Sequence, residues 1–80
     1  MSLKDSIGKT ICTLRNQAGM TQEDLSSAAG ISNRFLQNLE AGEHSPSFAT
    51  LFKLASALQI TPDEIIMPAW KKWLKNPKDI

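Results

Sequence analysis

The sequence predicts an all-α protein built from five short helices, followed by a short helical extension at the C-terminus. Apolar residues recur at intervals of three and four along most of the 80 positions, which is typical of helices that bury one side. Helix-capping residues, glycines and prolines separate these segments. No stretch has the sustained alternation of apolar and polar residues that is typical of a strand. We expect residues 1–80 to form a single domain.

The first two helices are indicated by their apolar positions and by the residues at their ends. The apolar positions of the first helix, over residues 3–18, are Leu3, Ile7, Ile11 and Leu14. Gly19 is expected to end this helix. Thr21 and Asp24 have the spacing of a capping box at the start of the second helix. The apolar side of the second helix would comprise Leu25, Ala28 and Ala29.

Serine, glycine and proline residues delimit the third and fourth helices. Gly30 allows a left-handed turn after the second helix, and Ser32 can cap the third, which Gly42 would close. The inner side of the third helix would comprise Phe35, Leu36 and Leu39. Pro46 disfavours helix just before it, so Ser47 is expected to cap a fourth helix that runs to about residue 58. The inner side of the fourth helix would comprise Phe48, Leu51, Leu54, Ala55 and Leu58.

Two prolines organise the last part of the chain. Thr61, Pro62 and Glu64 supply an N-cap, a proline at the first helical position and a capping-box acid for a fifth helix. Pro68 is expected to kink or restart that helix, so that residues 68–80 form the extension. Opposite its lysines, the extension carries the apolar residues Trp70, Trp73 and Leu74. These either fold back on the domain's own core or pack against a second subunit, and a role of the lysines at a membrane surface or DNA backbone is a further alternative.

Charge and cysteine content restrict the possible classes of protein. The formal net charge is only +1, so charge alone gives little support for nucleic-acid binding. Cys12 is the single cysteine, which excludes an intramolecular disulfide and a cysteine-rich zinc site, and we expect it to be a small core residue. No apolar run approaches the roughly 20 residues of a membrane span, and no signal-peptide layout opens the chain. We therefore expect a soluble, cytoplasmic protein.

Few residues could support catalysis or hold a cofactor. His44 lies in a polar loop, without a second histidine or a cysteine to complete a metal site. The acidic pairs at residues 23–24 and 63–64 fall in the first turns of predicted helices, where acids stabilise the helix dipole, and this role is favoured over an acid–base pair. We expect a non-enzymatic protein that uses no metal, no cofactor and no small-molecule ligand.

Residues 21–42 have the pattern of a helix-turn-helix. A short helix, a turn at Gly30 and a second helix with an apolar inner side would present that second helix to the DNA major groove. Its outward positions are Asn33, Arg34, Gln37 and Asn38. Asparagine and glutamine can pair with adenine and arginine with guanine, so this face suits base recognition despite its low charge. For Phe35, partial burial is favoured over contact with a thymine methyl group.

The stretch "LRNQAGMTQEDLSSAAGISNRFLQNLEAGEHSPSFATLFKLASALQITPDEII", residues 14–66, resembles the Cro/C1-type (XRE-like) helix-turn-helix family. The matching positions are Arg15, Gln22, Leu25, Gly30, Leu39, Glu40, Gly42, Pro46, Leu54, Ala55 and Leu58. The resemblance implies a five-helix, lambda-repressor-like DNA-binding domain. It also implies a sequence-specific transcriptional regulator of repressor or controller type, whose recognition helix lies in the major groove of double-stranded DNA.

The resemblance assigns roles to individual positions. The residues at base-reading positions are Ser32, Asn33, Arg34, Gln37 and Asn38. Those at phosphate-binding positions are Thr21, Gln22, Gly42, Glu43, His44, Ser47 and Phe48. Arg15 and Glu40 match a structural pair between the first helix and the end of the third. Ser26 departs from the alanine usual in the family, and the acids at 23, 24 and 43 lie near the expected phosphates, which predicts low non-specific affinity.

The resemblance also bears on the oligomeric state, because members of this family usually bind pseudo-palindromic half-sites as two-fold dimers. It implies a homodimer whose interface is formed by Ile65, Ile66, Met67, Trp70, Trp73 and Leu74. A second hypothesis is an antitoxin-like protein-interaction module that binds a partner protein through Trp70 and Trp73. The sequence predicts neither the operator nor the direction of regulation.

Overall fold

A computed structural model describes residues 2–77 as five helices, with no strand in that range. The helices are α1 (Leu3–Gln17), α2 (Gln22–Ala29), α3 (Asn33–Glu40), α4 (Phe48–Leu58) and α5 (Asp63–Lys75). The predicted all-α, five-helix class is confirmed. Over the described residues, no helix combines the length and the hydropathy that crossing a membrane requires.

All five helices contribute to one hydrophobic core. Its fully buried side chains are Ile11, Leu25, Leu36, Leu39, Leu54 and Ile65. The helix α1 packs against α3 and α5, and α2 packs against α3 and α4. Because α3 packs against α1, and α2 against α4, the helix-turn-helix depends on the rest of the domain for its stability.

Each of the first four helices follows a residue whose side chain caps the start of the helix. Thr21 accepts a hydrogen bond from the Asp24 N–H at 3.0 Å, and the Asp24 carboxylate accepts one from the Thr21 N–H at 3.0 Å, so the predicted capping box is confirmed. The predicted caps at Ser32 and Ser47 are also present. Ser2 and Asp5 form a further capping box at α1. These bonds satisfy N–H groups that would otherwise lack partners.

The start of α5 differs from the prediction. The N-cap is Pro62, which has no side chain able to accept a hydrogen bond, and the helix proper begins at Asp63. One half of the predicted capping box remains, since the Thr61 N–H donates to the Glu64 carboxylate at 3.1 Å. Pro62 still takes part in the helix start through its backbone, because its carbonyl accepts hydrogen bonds from the Ile65 and Ile66 N–H groups.

Pro68 was expected to kink or restart the last helix, and of these two outcomes the restart is not observed, because α5 continues through Pro68 to Lys75. Proline lacks the N–H that would bond the Glu64 carbonyl, and both residues are exposed, so solvent can hydrate that carbonyl. The part of the predicted extension at residues 68–75 is therefore the second half of α5. Residues 78–80 of the predicted extension lie outside the described residues.

Three predicted core positions were wrong. Phe48 is 77% exposed on a flank of α4 that it shares with the exposed Phe52, because α4 packs through the side that bears its buried leucines. Ala28 is exposed, and the neighbouring Ser26 is buried instead, with its hydroxyl donating to the Glu23 carbonyl at 3.2 Å. Cys12 is half-buried on the side of α1 towards Arg15, outside the core cluster.

Candidate nucleic-acid interface

The turn between α2 and α3 is set by Gly30. This residue has φ +70, in the left-handed region, and follows the last residue of α2. The Ile31 N–H then donates to the Ser26 carbonyl at 3.0 Å, which closes the end of α2. Ser32 has an extended backbone and caps α3 at once. This short connection brings α3 against α2 and positions its outward side.

Glu40, the last residue of α3, fixes that helix to two others. Its Oε2 accepts a hydrogen bond from Arg15 Nε at 2.7 Å, and its Oε1 accepts one from Arg15 Nη2 at 3.1 Å. The same Oε1 accepts a third bond from Gln22 Nε2 at 3.1 Å. Glu40 therefore joins α1, α2 and α3, and its pair with Arg15 connects the two helices that the resemblance to the family connects.

The ion pair is shielded from water, since the side chains of Arg15 and Glu40 are only 12% and 6% exposed. The hydrogen bonds that the Arg15 guanidinium donates to Glu40 raise the pKa of the guanidinium above its ordinary value. Arg15 Nη1 also donates to the Met20 carbonyl at 2.9 Å, in the segment between α1 and α2. The hydrogen bond from Gln22 to Glu40 was not predicted from the sequence, because it depends on how closely α2 approaches the end of α3 in the fold.

The outward side of α3 is a continuous polar face. At about 100° per residue, its members fall within an arc of about 140°. They are Asn33, Arg34, Gln37 and Asn38. Ala41, the residue after the end of α3, lies in the same sector but is apolar. Arg34 and Gln37 are exposed, whereas Asn33 and Asn38 are half-buried at the edges of the arc. The opposite side carries Leu36 and Leu39 in the core, so the structure brings four of the five predicted base-reading residues onto one surface.

Two residues next to this face have other contacts. The Ser32 hydroxyl accepts the Phe35 N–H at 3.0 Å as the cap of α3, which leaves its O–H as a donor. Phe35 is half-buried beside the core, as predicted, and its ring lies 6.3 Å from the His44 ring. This distance separates the two ring centroids, and the ring planes are tilted by 34°.

Asn33 has an unusual environment at the start of α3. Its Oδ1 atom is buried and has no hydrogen-bond partner. Every other buried side-chain nitrogen or oxygen atom in residues 2–77 has a partner. Its Nδ2 atom makes no hydrogen bond in that range either, but is not buried. The amide therefore points one polar atom inward and one towards solvent.

The loop after α3 differs from the predicted phosphate-binding arrangement. The Gly42 N–H donates to the Leu39 carbonyl at 3.1 Å, and the Glu43 N–H donates to the Asn38 carbonyl at 3.0 Å. These bonds close the end of α3, with Gly42 at φ +77, so both N–H groups are already used. In this conformation neither N–H group is free to donate to a phosphate, and a phosphate-binding role of this loop stays a prediction.

Other predicted phosphate positions keep free donors. The Ser47 hydroxyl accepts a hydrogen bond from the Thr50 N–H at 3.1 Å. The N–H groups of Phe48 and Ala49, the first two of α4, have no acceptor within the helix. Thr21 is committed to its capping box, but its neighbour Gln22 uses one N–H of its amide on Glu40 and has a second available. These donors lie at the starts of α2 and α4, where the helix dipole favours an anion.

A second surface feature is an apolar stripe along α5, formed by Ile66, Met67, Trp70, Trp73 and Leu74. Trp70 is 47% exposed and Leu74 60% exposed. The stripe borders an apolar groove of about 340 Å³ that is lined by Leu3, Ile7, Leu51, Ile66, Ala69, Trp70 and Trp73. Ile65, assigned to an interface by the resemblance, is instead fully buried in the core and has no side-chain surface for a partner.

Comparisons with known proteins agree with this arrangement. The HTH_3 family model, described as a helix-turn-helix, matches residues 13–65. The HTH-type transcriptional regulator y4dJ of Sinorhizobium fredii is 34% identical over 68 residues, which are 85% of this chain and 88% of that protein. The regulator YazB of Bacillus subtilis is 38% identical over 61 residues, 76% of this chain and 88% of that protein.

Among solved structures, the restriction-modification controller protein C.AhdI of Aeromonas hydrophila is similar with a TM-score of 0.76 and 31% identity, over 78% of this chain and 94% of that chain. This neighbour confirms the predicted lambda-repressor-like fold. The family match covers α2, α3, the Glu40 side chain that joins them to α1, and the start of α5. The chain thus belongs to the HTH_3 helix-turn-helix family of Cro/C1 type, and it is an HTH-type transcriptional regulator, a non-enzymatic class of protein.

Proposed function

We propose that this regulator binds specific sequences of double-stranded DNA by placing α3 in the major groove. The observation that carries the proposal is the polar arc on α3, whose orientation the bonds of Glu40 to Arg15 and Gln22 fix relative to α1 and α2. A major groove about 12 Å wide accepts a helix of this kind. A side chain held on a rigid helix also loses little conformational freedom when it meets a base.

The side chains of the arc have the chemistry for reading bases. Gln37 and Asn38 can each pair with adenine through both atoms of the amide, and Arg34 can pair with N7 and O6 of guanine. Arg34 is the single cation among the arc positions, so most discrimination would come from hydrogen bonds rather than from charge. The Ser32 O–H can donate to a base or to a neighbouring phosphate.

Phosphate contacts are expected from helix starts on either side of α3. One is the second amide N–H of Gln22 at α2, and the other is the pair of N–H groups at Phe48 and Ala49 of α4. Contacts of this kind position a protein on DNA without reading sequence. The exposed Glu23 and Glu43 repel phosphates nearby, so we expect weak non-specific binding and a modest dependence on salt.

We also propose that two copies bind as a two-fold dimer through the apolar stripe on α5. The partly exposed Trp70 and the apolar groove beside it form one apolar surface, and surfaces of this kind mark interaction sites. A two-fold axis there would place two α3 helices on one face of the duplex, reading half-sites about one helical turn apart. Similarity to a restriction-modification controller protein favours a repressor or controller role.

Selection of binding sites from a random duplex library tests the proposal. We expect enrichment of a two-fold symmetric motif, and fluorescence anisotropy at two salt concentrations should give a much tighter dissociation constant for that motif than for a scrambled duplex. The matched control is the Arg34→Ala variant, which should lose preference at one base pair per half-site. If no motif is enriched, and the weak binding that remains disappears as salt rises, the proposal is wrong and a partner protein for Trp70 becomes the alternative.

A further inference from the structure

Asn33 combines two properties that conflict in the structure. It lies on the polar arc of α3, yet its Oδ1 is buried without a hydrogen bond. Rotating the amide by half a turn would expose Oδ1 and place Nδ2 inward, so one polar atom of the amide is buried in this side-chain position in either orientation. In the observed orientation that atom is Oδ1, and it has no partner.

A buried amide atom without a partner weakens the position that contains it. In the observed position Asn33 offers a ligand only the N–H donors of Nδ2 and no acceptor, because Oδ1 faces inward. Pairing both amide atoms with one base requires the side chain to turn away from the interior. In a complex, turning outward would also give Oδ1 the hydrogen-bond partner that it lacks in the free protein.

We propose that Asn33 is a two-position side chain, inward in the free protein and outward when α3 lies on DNA. The missing hydrogen bond of the inward position keeps the outward position accessible, and DNA selects it. Asn33 then contributes to sequence recognition at a cost to the stability of the free domain. The inference rests on the proposed function for its DNA-bound state, but its free state can be tested without DNA.

The first test measures stability. Asn33→Leu keeps nearly the same side-chain shape and removes the unpartnered amide, so we expect the midpoint of thermal unfolding to rise by about 4–8 °C. Asn38→Leu is the matched control, since Asn38 is half-buried on the same helix and has no buried unpartnered atom. If Asn33→Leu unfolds at or below the temperature of the wild type, or rises no further than Asn38→Leu, the inference is wrong.

The second test measures the side-chain position in the wild-type protein, so it does not depend on a variant folding. Three-bond couplings to the Asn33 Cγ report its χ1 angle by NMR, free and bound to the selected duplex. We expect a different χ1 in the complex, and the same single χ1 in both states would overturn the proposal. If no duplex is selected, the proposed function fails, while the stability comparison still decides whether the inward amide weakens the fold.

Discussion

The guanidinium of Arg15 and the carboxylate of Glu40 join α1 to the last residue of α3 through two hydrogen bonds of 2.7 and 3.1 Å. Both side chains are nearly removed from water. A buried pair of this kind contributes little net stability over a well-packed apolar pair, but the loss of one partner leaves the other charge without compensation. The pair therefore fixes the angle of the proposed reading helix.

Removing Arg15 should destabilise the domain strongly. We expect Arg15→Met to lower the free energy of unfolding by about 3–5 kcal/mol, because Glu40 would remain buried with only the amide of Gln22 as a partner. Urea denaturation followed by circular dichroism measures this. Arg34→Met is the matched control, since Arg34 is exposed, and it should change the free energy by less than about 0.5 kcal/mol. Equal losses in the two variants would contradict the structural role of the pair.

The close approach of α1 to the end of α3 predicts that replacing Gly8 destabilises the domain. A Cβ at this position would lie 2.9 Å from the Glu40 carbonyl oxygen and closer still to that of Leu39. We expect Gly8→Ala to lower the free energy of unfolding by about 1–3 kcal/mol, although alanine is the better helix former. Lys9→Ala, at an exposed neighbouring position, is the control for helix propensity. A more stable Gly8→Ala protein would mean that the two helices separate at little cost.

Helix starts could be predicted from sequence because their signals are local. Thr21, Ser32 and Ser47 each cap the helix that follows, through a bond to an N–H three residues later. The burial of individual apolar residues was less predictable. Helical spacing assigned Phe48 to the inner side of α4, but spacing does not say how wide the covered side is, and the neighbouring helices leave Phe48 exposed.

The site was predictable to the extent that it depends on positions along α3. Spacing alone places Arg34 and Gln37 on the outward side. The hydrogen bond from the Glu43 N–H to the Asn38 carbonyl could not be predicted from spacing, because it depends on the backbone angles after α3. The inward Oδ1 of Asn33 likewise depends on packing from neighbouring helices.

The capping box at α2 predicts a specific dependence of stability on pH. Hydrogen bonds from the Thr21 backbone N–H, and then from its hydroxyl, hold the pKa of Asp24 below its ordinary value. A pKa lower in the folded than in the unfolded state means that ionised Asp24 stabilises the fold above about pH 4, and that this contribution is lost as pH falls through the folded-state pKa.

Chemical denaturation between about pH 5 and pH 2 measures this effect. We expect Asp24→Asn to lose less stability than the wild type over that interval, because its side chain has no proton to gain. Glu23→Gln removes a charge from the same first turn without touching the capping box, and its pH profile should follow the wild type more closely. Parallel profiles of wild type and Asp24→Asn would count against the capping contribution.

Base reading and phosphate binding should separate in two variants of the proposed interface. Arg34→Ala is expected to cost about 1–3 kcal/mol on the selected duplex and to relax preference at one base pair. Gln22→Ala is expected to weaken binding to all duplexes alike, because its free N–H would meet a phosphate. Anisotropy titrations against single-base variants of the duplex distinguish the two patterns. A changed base preference in Gln22→Ala would rule out a purely phosphate role.

The apolar stripe on α5 predicts the effect of removing its central indole. If Trp70 lies at the centre of a two-fold interface, Trp70→Ser should weaken dimerisation by at least about 2 kcal/mol, roughly 30-fold in the dissociation constant. Sedimentation equilibrium measures that constant directly. The variant should remain folded, because 47% of the side chain is already exposed in the monomer.

Lys71→Ser provides the control for this test, since Lys71 is the next residue of the same helix and is exposed outside the stripe. It should leave the dimer intact. We expect Trp70→Ser alone to lose the dimer and to bind a duplex with two half-sites more weakly. Its binding to a single half-site should not change, which would separate assembly from base reading. A wild-type protein that is monomeric at all concentrations would instead make the stripe a surface for a different partner, and α3 would then read one half-site per chain.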